Sequence, residues 1–341
     1  MSVHEPAPGA YGRFDLLSPQ LALEAVETVY GLTLDGAVTP YPSYVNRVYG
    51  VMSDDGRPYI AKFYRPDRWS DDALAEEHEF LADCADADVP VVLPLSDAEG
   101  QTLHTLVAES EDEAGETEYR FTLFPKRSGR LFDADRTEDF KRLGSLIGRM
   151  HAAARRRNSR HRITCTPGGS TRRFARDLEE SGLVAFDGED DYFDCIDRIC
   201  DAIEPLFDGI RLQRVHGDCH RGNILDRADE GLMLIDFDDM MMGPAVHDLW
   251  LLLPGRVSES RTALDAMLNG YGQFETLDPR ELRLVEPLRF MRIIYYTAWC
   301  ARQIGDARFR ATFGDWGSVS FWKQELEDLL DQERVIEEAL G

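Results

Sequence analysis

The sequence predicts an α+β protein of two lobes, a small antiparallel β lobe followed by a larger, mainly helical one. Three observations predict it. From Thr39 to Pro125 the apolar residues fall in short runs, several of them alternating and separated by turn residues, the pattern of half-buried strands. After Phe124-Pro125-Lys126-Arg127-Ser128-Gly129 the pattern turns helical. A chain of 341 residues with 43% hydrophobic content is also large enough for two cores. The expected division is therefore 1–125, a small β lobe, and 126–341, a larger helical lobe, with a hinge at 124–129.

In chain order, residues 1–13 read as a ragged tail. Ser18 and Pro19 open a helix over SPQLALEAVETVYG, with Leu21, Ala25 and Val29 on one face and Gly31 at its end. TPYPSYVNRVYGVMS alternates Tyr44, Asn46 and Val48 against Val45, Arg47 and Tyr49. It then meets Asp54-Asp55-Gly56, and PYIAKFY resumes, which is a hairpin. No G-x-G-x-x-G lies in the first turn. If the hairpin covers a nucleotide, Ser43 and backbone amides must replace the glycines; otherwise Ser43 is an ordinary turn residue.

Lys62 stands mid-strand between Ala61 and Phe63, where it is either an exposed strand lysine or a group reaching nucleotide phosphates. DDALAEEHEFLADC reads as a helix with Leu74, Glu77, Phe80 and Leu81 on one face. Glu77 then points inward and needs a partner, and Lys62 is the available one. VPVVLPL, HTLVAES and EYRFTLFP are three further expected strands. The acidic ESEDEAGETE between the last two reads as a solvated hairpin loop.

TEDFKRLGSLIGRMHAAARRR is a helix whose stripe of Phe140, Leu143, Ile147 and Met150 faces a core, with His151 packed or capping at its end. The basic run Arg155–Arg162 reads as a solvated helix end, with a site for phosphate or an acidic partner as the alternative. TPGGSTRRF is a loop leading to a helix, and Tyr192–Phe207 a further helix. The final third is long-helical, with Tyr295, Tyr296 and Trp299 expected in its core or, for some of them, lining a substrate cleft.

The chemistry concentrates in RVHGDCHRGNILDRADEGLMLIDFDD, residues 214–239. Asp218, then Asn223 five residues on, then Asp236 leaving an apolar run, is the layout of a kinase catalytic loop and metal loop. A carboxylate accepts the proton of an attacking hydroxyl. An amide oxygen and a second carboxylate suit Mg²⁺, a hard ion that relies on nucleotide phosphates to complete its shell. The fold then expected is a two-lobed protein-kinase-like α+β fold. Three other readings fit parts of the segment. His216, Asp218, Cys219 and His220 could ligate a hydrolytic metal. Asp236, Asp238 and Asp239 could be a solvated turn. The whole could also be a nucleotide-binding partner protein without turnover.

Composition narrows the class. Formal charge is 38 − 63 = −25, which repels nucleic acid and anionic membranes. Lys62, Lys126, Lys141 and Lys323 are the only lysines, a balance suited equally to a salt-rich cytoplasm and to a GC-rich genome. No apolar run is long enough for a transmembrane helix, and the N-terminus lacks the pattern of a secretory signal, so a cytoplasmic protein is expected. The six cysteines form no C-x-x-C pair, so they are expected reduced, with Cys219 a packed side chain and not a redox thiol.

Taken together, PSYVNRVY (42–49), AKFYRPDRW (61–69), EEHEF (76–80), HGDCHRGNIL (216–225), IDFDD (235–239), GPAVHDLW (243–250) and EPLRFMRIIYYTAW (286–299) carry a resemblance. Over about residues 14–330 the chain resembles the aminoglycoside phosphotransferase and choline kinase-like group. The first two stretches point to a bacterial stress-response branch of it. The resemblance implies a Ser/Thr protein kinase using ATP and Mg²⁺, cytoplasmic and monomeric. It implies Asp218 as proton acceptor, Asn223 and Asp236 as Mg²⁺ ligands, Ser43 at the nucleotide cover, Lys62 on the phosphates with Glu77 as its ion-pair partner, and Asp248 as the brace of the catalytic loop. A small hydroxyl compound as acceptor, an amino alcohol, sugar or aminoglycoside, is the alternative within the same group. Asp236-Phe237-Asp238 stands where other kinases have D-F-G, so regulation by a flipping D-F-G is not expected.

Overall fold

The computed structural model describes residues 12–43, 45–109, 116–228 and 230–340. The elements begin with helix α1 (Pro19–Tyr30), strands β1 (Leu34–Pro40), β2 (Arg47–Ser53) and β3 (Pro58–Phe63), and helix α2 (Asp71–Ala85). Strands β4 (His104–Glu109), β5 (Glu116–Pro125) and β6 (Arg130–Leu131) lead to helices α3 (Thr137–Ala154), α4 (Arg172–Ser181) and α5 (Glu189–Ile203). Four short strands follow, β7 (Gln213–Val215), β8 (Ile224–Arg227), β9 (Gly231–Leu234) and β10 (Met241–Gly243). Helices α6 (Val246–Trp250), α7 (Arg261–Tyr271), α8 (Val285–Ala301), α9 (Ala307–Thr312) and α10 (Val319–Leu340) end the chain. There are two compact units. One runs to Arg130 and takes in Leu225–Ile235; the other holds Leu131–Ile224 and the chain from Asp236 on.

The first unit is built on a five-stranded antiparallel sheet of order β1-β2-β3-β5-β4. Helix α1 starts where the Ser18 hydroxyl accepts the Leu21 N–H at 3.1 Å and stops at left-handed Gly31. Its Leu23, Ala25 and Val26 bury against Tyr49, Val51, Phe63, Phe121 and Leu123 of the sheet. The β2–β3 hairpin has the expected turn, with register Arg47↔Phe63 through Met52↔Pro58.

Strand β1 was not among the expected strands. It is an edge strand, mostly exposed, with a register irregularity between Leu34 and Val38, so it carries no clean alternation to read. VPVVLPL, expected as a strand, forms none. Pro90 and Pro94 remove two ladder donors, and what is left is one parallel bridge, Val91 to Leu234, and a bond from the Leu95 N–H to Leu123 O. The acidic insert is shorter as a loop than expected, because β4 and β5 pair through Glu109↔Glu116. Residues 110–115 of that insert, the tail as far as residue 11, and Tyr44 lie outside the described residues.

The second unit is mainly helical. Helix α3 buries the expected stripe of Phe140, Leu143, Ile147 and Met150. It meets α7 backbone to backbone: a Cβ on Gly144 would lie 1.9 Å from Met267 O, and one on Gly270 would lie 2.0 Å from Lys141 O. The other helices bury Leu178, Ile196, Leu288, Ile294, Trp322 and Leu329 in one core. Strands β7 and β10 form an antiparallel ribbon with Val215 opposite Met241. Beneath it Arg214, itself buried, donates to the carbonyls of Ala153 and Ala154 at the end of α3. No helix among the described residues is long and apolar enough to cross a membrane.

Candidate active site

The β7–β10 ribbon sets two loops side by side, since residue 216 leaves β7 opposite the point where residues 236–240 enter β10. The crossing is tight. Gly217 has φ +82°, and a Cβ there would lie 2.0 Å from Asp239 O, so only glycine fits. The loop is braced from below. The His216 and Gly217 N–H groups donate to Asp248 Oδ2 and Oδ1 at 2.8 and 3.0 Å. His151 Nε2 meets the same Oδ2 at 2.9 Å, and His151 Nδ1 meets the Tyr271 hydroxyl at 3.0 Å. His247 Nε2 holds Gly217 O at 3.1 Å. Burial by itself would raise the Asp248 carboxyl. The His151 hydrogen bond and the fields of His151, His216 and His247 outweigh it and hold the group below the usual carboxylate range.

Asp218 stands on this brace. Its Oδ1 accepts from Arg292 Nη2 at 2.6 Å, and its Oδ2 faces His220 Nε2 and Asn223 Nδ2, each at 3.3 Å. Burial opposes the charge, but the His220 hydrogen bond and the Arg292 guanidinium prevail and hold the carboxyl well below its ordinary range. The hydrogen bond to Asp218 raises His220 against its burial, while the Gly222 N–H donates to His220 Nδ1 at 2.9 Å. The Asn223 amide also donates to Asp218 O at 2.9 Å, so its nitrogen is committed to the loop and its oxygen is left as an acceptor.

Asp236 opens the second loop at φ +61°, a strained conformation for a residue with a side chain. It is exposed, while Phe237 behind it is buried with its ring 4.5 Å from that of His216, which ties the two loops together. Asp238 is buried and its carbonyl accepts from Arg162 Nη1 at 2.6 Å. Asp239 Oδ1 accepts from the Tyr295 hydroxyl at 2.5 Å.

These residues suit a hard divalent ion. The Asn223 amide oxygen and the Asp236 carboxylate are oxygen donors, and among the described residues no three His, Cys, Asp or Glu side chains gather as a metal cage. Oxygen donors of this kind suit a hard divalent ion better than a thiolate- or imidazole-seeking one. The ligand set His216, Asp218, Cys219 and His220 does not assemble: His216 and Cys219 are fully buried, and burial pushes the Cys219 thiol well up.

In the other unit, Lys62 and Glu77 meet as expected, Nζ to Oε1 at 3.5 Å, both buried. Tyr64 shares Glu77 Oε1 at 3.4 Å and reaches His78 Nε2 at 3.1 Å, and His78 Nδ1 meets Thr102 at 2.7 Å. The lysine also lies over the Tyr64 ring at 4.9 Å. Ser43 lies in the β1–β2 connection, where its hydroxyl accepts the Asn46 N–H at 3.2 Å. That is a turn-stabilising bond.

A family model described as phosphotransferase enzyme family (APH) matches residues 37–285, well over half of the chain. The chain belongs to the phosphotransferase enzyme family. This phosphotransferase is similar to stress response kinase A of Escherichia coli (strain K12), at 33% identity over 326 residues, 95% of each chain. It is similar also to serine/threonine protein kinase RdoA of Salmonella typhimurium, at 32% over 326 residues and 95% of each. Among solved structures it resembles amicoumacin kinase hAmiN in complex with AMP-PNP, Ca2+ and Ami, with TM-score 0.68, 18% identity and coverage of 91% and 93%. The microcompartment-associated aminopropanol kinase matches with TM-score 0.64, 18% identity and coverage of 93% and 98%. The α+β fold expected from the sequence is the fold these structures share.

Several residues of the candidate site take a place that a linear reading does not show. Arg292, 74 positions from Asp218, is visible in the sequence only as a charge within the apolar run FMRIIYY. His151, expected to be packed or capping, is a partner of the Asp248 brace. Of the aromatics expected in the core or a cleft, Tyr295 lines a small crevice beside Gly217, and Tyr296 is 48% exposed.

Proposed function

We propose that this phosphotransferase is an ATP- and Mg²⁺-dependent Ser/Thr protein kinase of the bacterial stress response, acting in the cytoplasm as a monomer. The arrangement of Asp218 and Asn223 carries the chemistry: one amide nitrogen pins the Asp218 loop while its oxygen stays available to a metal. Likeness over 95% of the chain to relatives named stress response kinase A and serine/threonine protein kinase RdoA supports protein as the acceptor. In this reading Asp218 orients the acceptor hydroxyl and takes up its proton. Because its carboxyl is held far below neutral pH, it acts more by orientation than by basicity. Asn223 and Asp236 would hold Mg²⁺, which when bound offsets phosphate charge. Lys62, kept in place by Glu77, would contact the nucleotide phosphates, and Ser43 with its neighbouring amides would cover them.

A small-molecule kinase is the second reading. The solved structures of similar fold are named for amicoumacin and aminopropanol, and one fold serves many acceptors. The experiment is transfer of label from γ-labelled ATP with Mg²⁺, wild type beside Asp218→Asn. Acceptors would be a generic protein, the chain itself, and panels of amino alcohols, sugars and aminoglycosides. The expected result is label on protein, reduced by about 10²-fold or more in the variant with ATP binding retained. Label on a small molecule alone would replace protein as the acceptor, and full turnover by the variant would remove the role given to Asp218.

A further inference from the structure

Two features of the helical unit bear on the acceptor. The first is Arg292. Its guanidinium lies 2.6 Å from Asp218 Oδ1, on the carboxylate that the acceptor hydroxyl must approach. A small crevice opens beside the catalytic loop, lined by Gly217, Arg292, Tyr295, Phe174, Met241 and Ile163. Its walls are mostly apolar, and the fixed cation among its lining residues is Arg292. Arg292 spends Nη2 on Asp218, and the remaining N–H donors of its guanidinium can serve an anionic group beside the acceptor hydroxyl but not a cationic one.

The second is the run Arg155–Arg162. In a chain of net charge −25 it holds five arginines and a histidine in eight residues, with no acid. Arg155, Arg156, Arg157, Arg160 and His161 are exposed; Arg155 pairs with Glu275, and the other four are likewise engaged at their surface positions. The run is anchored to the site at its far end: Arg162 is buried on Asp238 O, and the next residue, Ile163, lines the crevice with Arg292.

We propose that the acceptor is an acidic protein segment, a serine or threonine with carboxylates beside it, drawn in by the arginines of 155–160 and sorted by Arg292. This rests on the protein-kinase reading above. The transfer itself is the one described there: the acceptor oxygen forms a bond to the γ-phosphorus, the bond to the leaving ADP oxygen breaks, and the hydroxyl proton passes to Asp218.

The test uses the full-length protein with ATP and Mg²⁺ and three serine peptides flanked by Glu, Ala or Lys. Wild type is compared with Arg156→Gln/Arg157→Gln/Arg160→Gln, Arg292→Gln and Arg292→Lys. Wild type should favour the Glu peptide over the Lys peptide by about tenfold or more in kcat/KM, with the preference shrinking as salt rises. The triple variant should raise KM for the Glu peptide far more than it lowers kcat, and should flatten the salt dependence. Arg292→Gln should narrow the preference, and Arg292→Lys should restore most of it. Equal use of the three peptides, a preference for Lys, or an unchanged KM in the triple variant overturns the proposal while leaving the kinase reading intact. Label on small molecules only, or no Asp218-dependent transfer at all, overturns both.

Discussion

Asp218 and Asp236 are both carboxylates of the candidate site, yet their surroundings differ. Asp218 is ringed by Arg292, His220 and Asn223, while Asp236 sits exposed at positive φ. An exposed carboxylate held in a strained backbone is suited to a ligand that arrives from outside, so Asp236→Ala is expected to abolish Mg²⁺-dependent nucleotide binding; calorimetry with and without Mg²⁺ would reveal an unchanged affinity if Asp236 is not a ligand. Asp248 contributes differently. Its folded carboxyl is held below the unfolded value of about 4. Its contribution to stability is therefore complete above that pH and is lost as pH falls through the folded value. Urea unfolding from pH 7 down to 3 should show Asp248→Asn less stable by about 1–3 kcal/mol at neutral pH, with a smaller difference at the acid end. A constant difference across pH would remove the brace from the acid-sensitive groups. The six cysteines belong to the same scale: all are buried, and burial pushes Cys165 and Cys300 up to about 12, away from the exposed, acidic thiol of a redox sensor.

At the scale of elements, the contact of α3 with α7 is set by two glycines. Gly144 and Gly270 face backbone atoms at distances no Cβ tolerates, so the helices can approach only where the side chains are missing. Gly144→Ala should cost about 1–3 kcal/mol by overpacking, read as a lower urea midpoint at constant m, and should loosen the His151–Asp248 brace carried by α3. Unchanged stability would mean that the crossing relaxes without penalty. Elements were legible where one periodicity acted alone. Helix α1 was readable from Ser18, Pro19 and Gly31, and the β2–β3 hairpin from its alternation and its turn. Two failures share one cause, because strand pairing is settled by a partner and not by the segment. Leu34–Pro40 pairs although little of it is buried, and VPVVLPL stays unpaired apart from one bridge although most of it is apolar. Glu109↔Glu116 is the same case: acidic residues read as loop, yet a ladder already in register carries on through them.

At the scale of the molecule, charge dominates. A net −25 on 341 residues opposes the compact state by self-repulsion, which screening relieves. The melting temperature is expected to rise with KCl from low to molar concentration; a flat curve would show that the acidic surface carries no such stress. That background is also what gives the arginines of 155–162 their weight, since a basic run on a neutral protein would be unremarkable surface.

The pairing of Lys62 with Glu77 and the placing of Asp218 beside Asn223 were legible in the sequence, because helix period turns Glu77 inward and a five-residue spacing keeps Asp218 and Asn223 in one loop. The helical pattern after Pro125 and the buried stripe of α3 were legible for a related reason, namely that side-chain period follows directly from backbone period. Only the tertiary structure decided the rest. Arg292 reaches Asp218 across 74 residues, His151 reaches Asp248 across 97, and the Leu225–Ile235 segment joins a different unit from the residues on either side of it. Contacts of that kind depend on which surfaces pack together after the elements have formed. No local pattern encodes them, and they determine how the Asp218 carboxylate is held.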